Sequence, residues 1–301
     1  MTNVKQRQLF GISAIIFIVL MLIATFKDLQ ISNTVINYNS IFGTLFQSVG
    51  EFPEYLIFIV SGQLALCAAF KAPYPLRFKF FLGLGGAGLS GWQLKQYLNE
   101  IESYFLSVSS NKQHNKPIGL ANSDSSSKAL TVAHAYMIWI VVFILITLLL
   151  QYWFSHFSLI TIQHLLLIAV FACLTTWISL QVNQGLKNIW GRVRPYELNK
   201  GQTDYTNWLT INGVTGHMSF PSGHTQAATL LIVFSWFFNG QAKKNWWTIG
   251  IVYGVLMGIS RVIIGAHFMS DVVFSFFMTA LIIYTMRSLY LIFEENVIHY
   301  D

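Results

Sequence analysis

Charged residues are scarce in this sequence. Asp, Glu, Lys and Arg make up 10% of its 301 residues, whereas 54% are hydrophobic and the mean hydropathy is +0.54. Soluble domains carry about 25% charged residues. The composition therefore excludes an ordinary soluble domain and indicates a membrane protein.

Acidic residues are the scarcer charged class, with 12 Asp and Glu against 18 Lys and Arg, so the net charge is +6. A basic balance can indicate a nucleic-acid partner. Here the basic residues are scattered over predicted loops and form no continuous stripe, so we expect no nucleic acid to bind. An anionic membrane surface or an anionic substrate fits the charge better.

Cysteine is almost absent. Cys67 and Cys173 each lie inside an apolar run. We expect both to be small core residues, because their spacing suits neither a metal knuckle nor a disulfide framework.

Long apolar runs, by contrast, are abundant. About 20 apolar residues cross a bilayer, and the first such run is Leu9–Phe26. It is too long for the apolar part of a typical signal peptide and lacks a clear cleavage pattern, so we predict an uncleaved span. The predicted fold class is all-α, a polytopic transmembrane helix bundle of about eight spans. The other seven runs are 55–70, 80–98, 133–154, 157–182, 225–238, 246–260 and 272–286.

The run Phe80–Leu98 differs from the others because it contains five glycines. Glycine lowers helix propensity in water, but in a membrane small residues let helices approach closely. We predict that this run spans the membrane. If it is a re-entrant or interfacial segment instead, seven spans remain.

Two polar segments lie in the N-terminal half. Lys27–Glu54 carries several Asn residues and is predicted to be an exposed loop, and Ser107–Lys128 is rich in Ser and Asn and is predicted to be a second loop. Between them, Trp92–Phe105 is typical of an interfacial helix.

Three short motifs gather ionisable residues in the C-terminal half. They are residues 187–195 (KNIWGRVRP), 221–224 (PSGH) and 260–271 (SRVIIGAHFMSD). An ionisable residue in or beside a membrane span is a functional hypothesis by default. The motifs are therefore the candidate site.

The motifs contain the kinds of group that bind phosphate in proteins. Ser222 and Gly223 precede a predicted helix, whose N-terminal N–H groups and dipole favour an anion. Three fixed cations accompany them, and Arg can hold phosphate oxygens with two hydrogen bonds. These cations are Lys187, Arg194 and Arg261.

Two histidines complete the predicted chemistry. His267 and Asp271 stand four residues apart, so the carboxylate can accept one imidazole N–H and leave the other nitrogen free to attack. His224 supplies a second imidazole, which can act as an acid. Asp271 is the only carboxylate in the motifs and is already assigned, so we expect no metal and no cofactor.

At these residues the sequence resembles the type 2 phosphatidic acid phosphatase superfamily. The motifs fit its K-x6-RP, PSGH and SR-x5-H-x3-D signatures, and the resemblance extends over residues 133–291. It implies that Lys187, Arg194, Arg261, Ser222 and Gly223 bind phosphate. It also implies that His267 forms a phosphohistidine, that Asp271 orients His267, and that His224 protonates the leaving group and then helps to activate water. Familiar integral-membrane members have six spans, so additional N-terminal spans are a departure.

The resemblance divides the chain into residues 1–131, an N-terminal transmembrane region with an extracytoplasmic loop, and residues 132–301, a phosphatase core. With eight spans, both termini and the short basic loops share one side. The positive-inside rule places that side in the cytoplasm. We therefore expect a multi-pass protein of the cell membrane with its motifs on the extracytoplasmic side.

The expected substrate is a lipid phosphate or diphosphate: undecaprenyl diphosphate, which we favour, phosphatidylglycerol phosphate or phosphatidic acid.

One alternative is a phosphotransferase that uses the same site with an acceptor lipid. Another is a lipid-binding or transport protein without catalysis. Vanadate-dependent haloperoxidases share the signatures but are typically soluble. The sequence leaves the oligomeric state open.

Several residues near the motifs have a simpler interpretation. Arg192 lies inside the first motif but off its signature, and we interpret it as a solvated or lipid-headgroup charge. His134 and His164 match no signature and are interpreted as hydrogen-bonded interior or interfacial residues. His217 is close enough to PSGH to touch substrate, although it too matches no signature.

Overall fold

The computed structural model describes residues 3–121 and 131–298, and within these ranges the chain folds into α-helices and short 3-10 helices without strands. The all-α class is therefore confirmed. The α-helices are α1 (Asn3–Val35), α2 (Ile41–Val49), α3 (Phe52–Lys71), α4 (Leu76–Gln113), α5 (Val132–Ser155), α6 (Leu159–Trp190), α7 (Gly223–Thr229), α8 (Gly240–Ile263) and α9 (Met269–Ile298).

Six helical segments of the described ranges are long and apolar enough to cross a membrane. They are Phe10–Val35, Ile41–Lys71, Val132–Ser155, Leu159–Glu197, Gly240–Ile263 and Met269–Asn296. Two of the eight predicted spans are not among them. Residues 80–98 lie in α4, whose glycines and charges lower its hydropathy, and residues 225–238 lie on a short helix.

The surface of the bundle is apolar where a lipid bilayer would contact it. No residue in the most apolar stretch of α5 is buried, and side chains such as Ile15 of α1 and Leu149 of α5 are more than half exposed. A water-soluble protein rarely exposes such continuous apolar faces. The exposed helices are therefore suited to a bilayer.

The prediction of a loop at Lys27–Glu54 is wrong. Helix α1 continues to Val35, and α2 occupies Ile41–Val49. Helix α2 begins where the Ser40 hydroxyl accepts the Gly43 N–H at 3.1 Å, and it buries Thr44 and Gln47 against the bundle. The Asn residues that suggested a loop are exposed at the end of α1 and in the short turn before α2.

The second predicted loop and the predicted interfacial helix both fall on α4. This helix contains 38 residues and includes Trp92–Phe105 and the start of Ser107–Lys128. A 3-10 turn follows at Ile118–Leu120, and residues 122–128 lie outside the described residues. Helix α4 packs along α3, so it belongs to the bundle.

Helix α7 and the 3-10 helix that continues it, Leu230–Phe237, form the centre of the bundle. Ala227, Leu230 and Val233 are completely buried. Helices α3, α6, α8 and α9 pack around this segment. With seven and eight residues, respectively, the two pieces are too short to count as a candidate span.

Glycines allow α3 and α4 to touch through their backbones. A Cβ atom on Gly86 would lie 2.5 Å from the Gly62 carbonyl oxygen, and a Cβ atom on Gly62 would clash with the Gly86 carbonyl. Close approach through small residues is typical of membrane helices. Gly86 of the Phe80–Leu98 run is thus a packing residue.

We predict that Gly86→Leu destabilises the protein by about 1–3 kcal/mol, because the added side chain forces α3 and α4 apart. The matched control is Gly85→Leu on the same helix, where a Cβ atom meets nothing within 4 Å. The measurement is the thermal unfolding midpoint in detergent. Equal shifts in the two variants would contradict the proposed role of this contact.

Candidate active site

The three motifs meet at one end of the bundle. Lys187 is in the last turn of α6, Ser222 caps α7, Arg261 lies near the end of α8, and Asp271 is in the first turn of α9. Glycines with positive φ end two of these elements: Gly191 at 51° after α6 and Gly265 at 68° between α8 and α9. The left-handed backbone costs little at glycine, so both turns can bring the motifs together.

His267 has one ring nitrogen held and the other available. Its Nδ1 lies 2.7 Å from the Ser219 carbonyl oxygen, which fixes the Nδ1–H tautomer. Nε2 has no hydrogen-bonding partner within the described residues. Burial lowers the pKa of His267 to about 3, although Asp271 opposes the shift. The imidazole is therefore neutral near pH 7, with the Nε2 lone pair free.

Asp271 supports His267 through Ser219. Its Oδ2 is 3.6 Å from His267 Nδ1, beyond hydrogen-bond distance. The same carboxylate accepts the Ser219 hydroxyl at 2.6 Å and the Phe268 N–H at 2.9 Å. Ser219 thus contacts both residues, with its carbonyl on His267 and its hydroxyl on Asp271. No motif indicated Ser219.

The interpretation of Arg192 as a solvated charge is wrong, because its side chain is completely buried. It donates to Asp271 Oδ1 at 2.6 Å and to Asp28 Oδ2 at 3.1 Å. Its guanidinium also lies 4.2 Å from the centre of the Phe268 ring. A buried charge needs such partners, and Asp28 supplies one from α1, far away in sequence.

The three predicted phosphate-binding cations converge beside the histidines. Lys187 Nζ lies so close to Gly223 that a Cβ there would be 2.9 Å away. Arg261 is buried, and its Nε has no hydrogen-bonding partner within the described residues. Arg194 contributes to the electrostatic environment of Lys187, Arg261 and His267. Adjacent cations repel each other, so an anion would stabilise the cluster.

The PSGH segment uses its serine within the fold. The Ser222 hydroxyl accepts from the Thr225 hydroxyl at 3.0 Å and caps α7, and the Ser222 N–H donates to the Asp271 carbonyl at 3.2 Å. The Gly223 N–H lies in the first turn, where backbone donors have no helical acceptor. Within this pair, the Ser222 N–H already donates to the Asp271 carbonyl, whereas the Gly223 N–H has no acceptor in its own helix.

His224 contacts three residues that precede the motifs in sequence. Its Nδ1 lies 3.0 Å from Glu51 Oε1. Its Nε2 makes longer contacts, 3.2 Å to the Gln47 carbonyl and 3.4 Å to the Tyr104 hydroxyl. Burial and the nearby cations lower the pKa of His224 well below its usual value. Gln47 also accepts from Arg261 Nη1 at 3.0 Å, so α2 contacts both His224 and a cation.

Three other histidines have partners of their own. His217 Nδ1 is 2.9 Å from Glu197 in an exposed pair. His164 pairs with Glu294 at 3.4 Å, and the exposed His134 bonds to the Thr131 hydroxyl at 2.6 Å. In the part of the chain that the structure describes, no group of three His, Cys, Asp or Glu residues could hold a metal ion.

We predict that Arg192→Met destabilises the protein by about 3–5 kcal/mol, because it leaves Asp28 and Asp271 buried without their cation. The measurement is the thermal unfolding midpoint in detergent, with Arg77→Met, at an exposed site, as the control. An unchanged midpoint for Arg192→Met would contradict a structural role for the buried pair.

Comparison with known proteins agrees with this arrangement. Residues 166–294 match the model of the PAP2 superfamily. Phosphatidylglycerophosphatase B of Bacillus subtilis (strain 168) is 36% identical over 86 residues, which cover 26% of this chain and 40% of that protein. No solved structure matches. All three motifs lie inside the matched range, so residues 166–294 are similar to the PAP2 superfamily at the candidate site.

Proposed function

We propose that this protein is a membrane phosphatase that hydrolyses the phosphate or diphosphate of a lipid through a phosphohistidine on His267. The observation that carries the proposal is the neutral His267, with a free Nε2, beside Lys187, Arg194 and Arg261 in a PAP2 region. A nucleophile surrounded by cations suits phosphoryl transfer, where charge stabilisation dominates catalysis.

In the first step, Lys187, Arg194, Arg261 and the Gly223 N–H hold the phosphate oxygens. Nε2 of His267 attacks phosphorus, the N–P bond forms and the bond to the leaving oxygen breaks. That oxygen keeps the electron pair and takes a proton from His224. The bound phosphate supplies the anion that raises the proton affinity of His224 above its value in the empty site.

In the second step, water attacks phosphorus on the opposite side from His267. His224, now neutral, accepts a proton from this water, and the N–P bond breaks. Phosphate leaves, and His267 returns to its neutral form. The Ser219 carbonyl keeps Nδ1–H in place throughout, and Asp271 stabilises the positive charge that His267 carries while it is phosphorylated.

The substrate is a lipid because the site lies at the end of helices that expose apolar faces. The printed name of the B. subtilis relative refers to phosphatidylglycerophosphate. That lipid therefore stands beside undecaprenyl diphosphate and phosphatidic acid as a substrate class to test. The basic short loops and the positive-inside rule favour an extracytoplasmic site with cytoplasmic termini.

We predict that purified protein in detergent releases phosphate from at least one of these lipids with EDTA present. His267→Ala should lower the rate by more than about 10³-fold, because it removes the nucleophile. A labelled substrate should also leave an acid-labile phosphoenzyme on the wild type only. The control is His134→Ala, at an exposed histidine of α5.

Three other results would contradict different parts of the proposal. Phosphoryl transfer to an added acceptor lipid, with little phosphate release, would identify a transferase. Full activity of His267→Ala would exclude His267 as the nucleophile. No release from any lipid, with lipid binding retained, would favour a non-catalytic protein.

We predict opposite accessibility for the two ends of α8. This helix has 24 residues and is about 36 Å long at 1.5 Å per residue, with the site at its C-terminal end. Lys200 lies in the loop between α6 and α7 that also contains Arg194, so it represents the site side. After Cys67 and Cys173 are replaced, Lys200→Cys should react with a membrane-impermeant maleimide on intact cells. Gln241→Cys should react only after permeabilisation. The reverse pattern would place the site in the cytoplasm.

A further inference from the structure

The acid–base histidine is held from outside the PAP2 region. Glu51 lies between α2 and α3, more than one hundred residues before residue 166, where the family match begins. Its Oε1 is 3.0 Å from His224 Nδ1, and the two side chains are only 15% and 12% exposed. The imidazole and the carboxyl group are therefore within ion-pair distance of each other in a nearly buried site.

In both histidines of the site, Nδ1 makes the shortest polar contact of the ring. His267 has Nδ1 on a short contact to the Ser219 carbonyl, and His224 has Nδ1 on a short contact to Glu51. In both rings the short contact leaves Nε2 less constrained, since Nε2 of His224 has only the contacts of 3.2 and 3.4 Å. A leaving-group oxygen could replace these longer contacts without disturbing Glu51.

The surroundings of Glu51 are rich in charge. Glu100 hydrogen-bonds to Glu51 and accepts the Tyr55 hydroxyl at 2.5 Å. Arg261 lies close enough to Glu51, and Lys187 close enough to Glu54, for each pair of charges to attract each other. Glu51 thus has a second carboxyl group and a cation nearby.

We propose that Glu51 is the positioning residue for His224: its carboxylate accepts Nδ1–H and keeps Nε2 directed at the leaving oxygen. The inference rests on the proposed function, since it concerns the proton transfer from His224. In the first step Nε2–H gives its proton to the leaving oxygen, and Glu51 stabilises the imidazolium before the transfer. In the second step Nε2 takes the proton back from water, so Glu51 itself is neither protonated nor consumed.

The test compares two leaving groups. A lipid alcohol leaves as a strongly basic alkoxide and needs the acid, whereas p-nitrophenolate is weakly basic and needs it little. Glu51→Gln should therefore lower kcat for the lipid phosphate at least about 10-fold, within the 10²–10⁴-fold that general acid–base catalysis contributes. It should lower kcat for p-nitrophenyl phosphate much less. KM should change little for either substrate.

A double-mutant comparison adds a second readout. If Glu51 acts through His224, Glu51→Gln should cause little further loss in the His224→Ala background. The matched control is Glu294→Gln, because Glu294 also pairs with a histidine, His164. It lies 23 residues beyond Asp271 on α9, about 34 Å away at 1.5 Å per residue. This control should leave both rates unchanged.

Three outcomes would overturn the inference. Equal loss with both substrates would show that Glu51 is structural. Additive losses in the double variant would show that it does not act through His224. Tighter phosphate binding with unchanged kcat would show that it is a counterion of Lys187 and Arg261. If the wild type releases no phosphate from either substrate, the proposed function fails instead.

Discussion

A buried guanidinium between two carboxylates is the interaction on which the rest of the site depends. Arg192 joins Asp28 of α1 to Asp271 of α9, and all three side chains are buried. Burying any one of these charges alone would be costly, whereas here each carboxylate faces the guanidinium and Asp271 also accepts the Ser219 hydroxyl. Because Asp271 also accepts the Ser219 hydroxyl, and the Ser219 carbonyl contacts His267, the position of the proposed nucleophile depends on this ion pair.

The region before the PAP2 match therefore contributes to the site directly. Asp28 supplies a counterion, Gln47 contacts Arg261 and His224, and Glu51 contacts His224. The family signatures describe the groups that would touch phosphate. The groups that hold them in place come in part from α1, α2 and the turn before α3, where the sequence carries no recognised motif.

Much of the fold and the motif residues could be predicted from the sequence, because both depend on local patterns. Apolar runs identify helices such as α5, and the spacing of His267 and Asp271 identifies a site. The partners of Arg192 could not be predicted, because Asp28 is 164 residues away. Ser219 was missed because its carbonyl, which any residue could supply, makes the key contact. Lys27–Glu54 was misassigned because the exposed Asn residues at the end of α1 and in the turn before α2 resemble those of a long loop.

The Arg192 interaction also bears on how the chain enters the membrane. Asp28 is synthesised 164 residues before Arg192, and Asp271 follows 79 residues after it. N-terminal segments are made and can associate first, so Arg192 meets an anionic partner in α1 as soon as α6 inserts. Asp28 can therefore pair with Arg192 before α9 is inserted. The site around His267 is therefore completed only when α9 is in place.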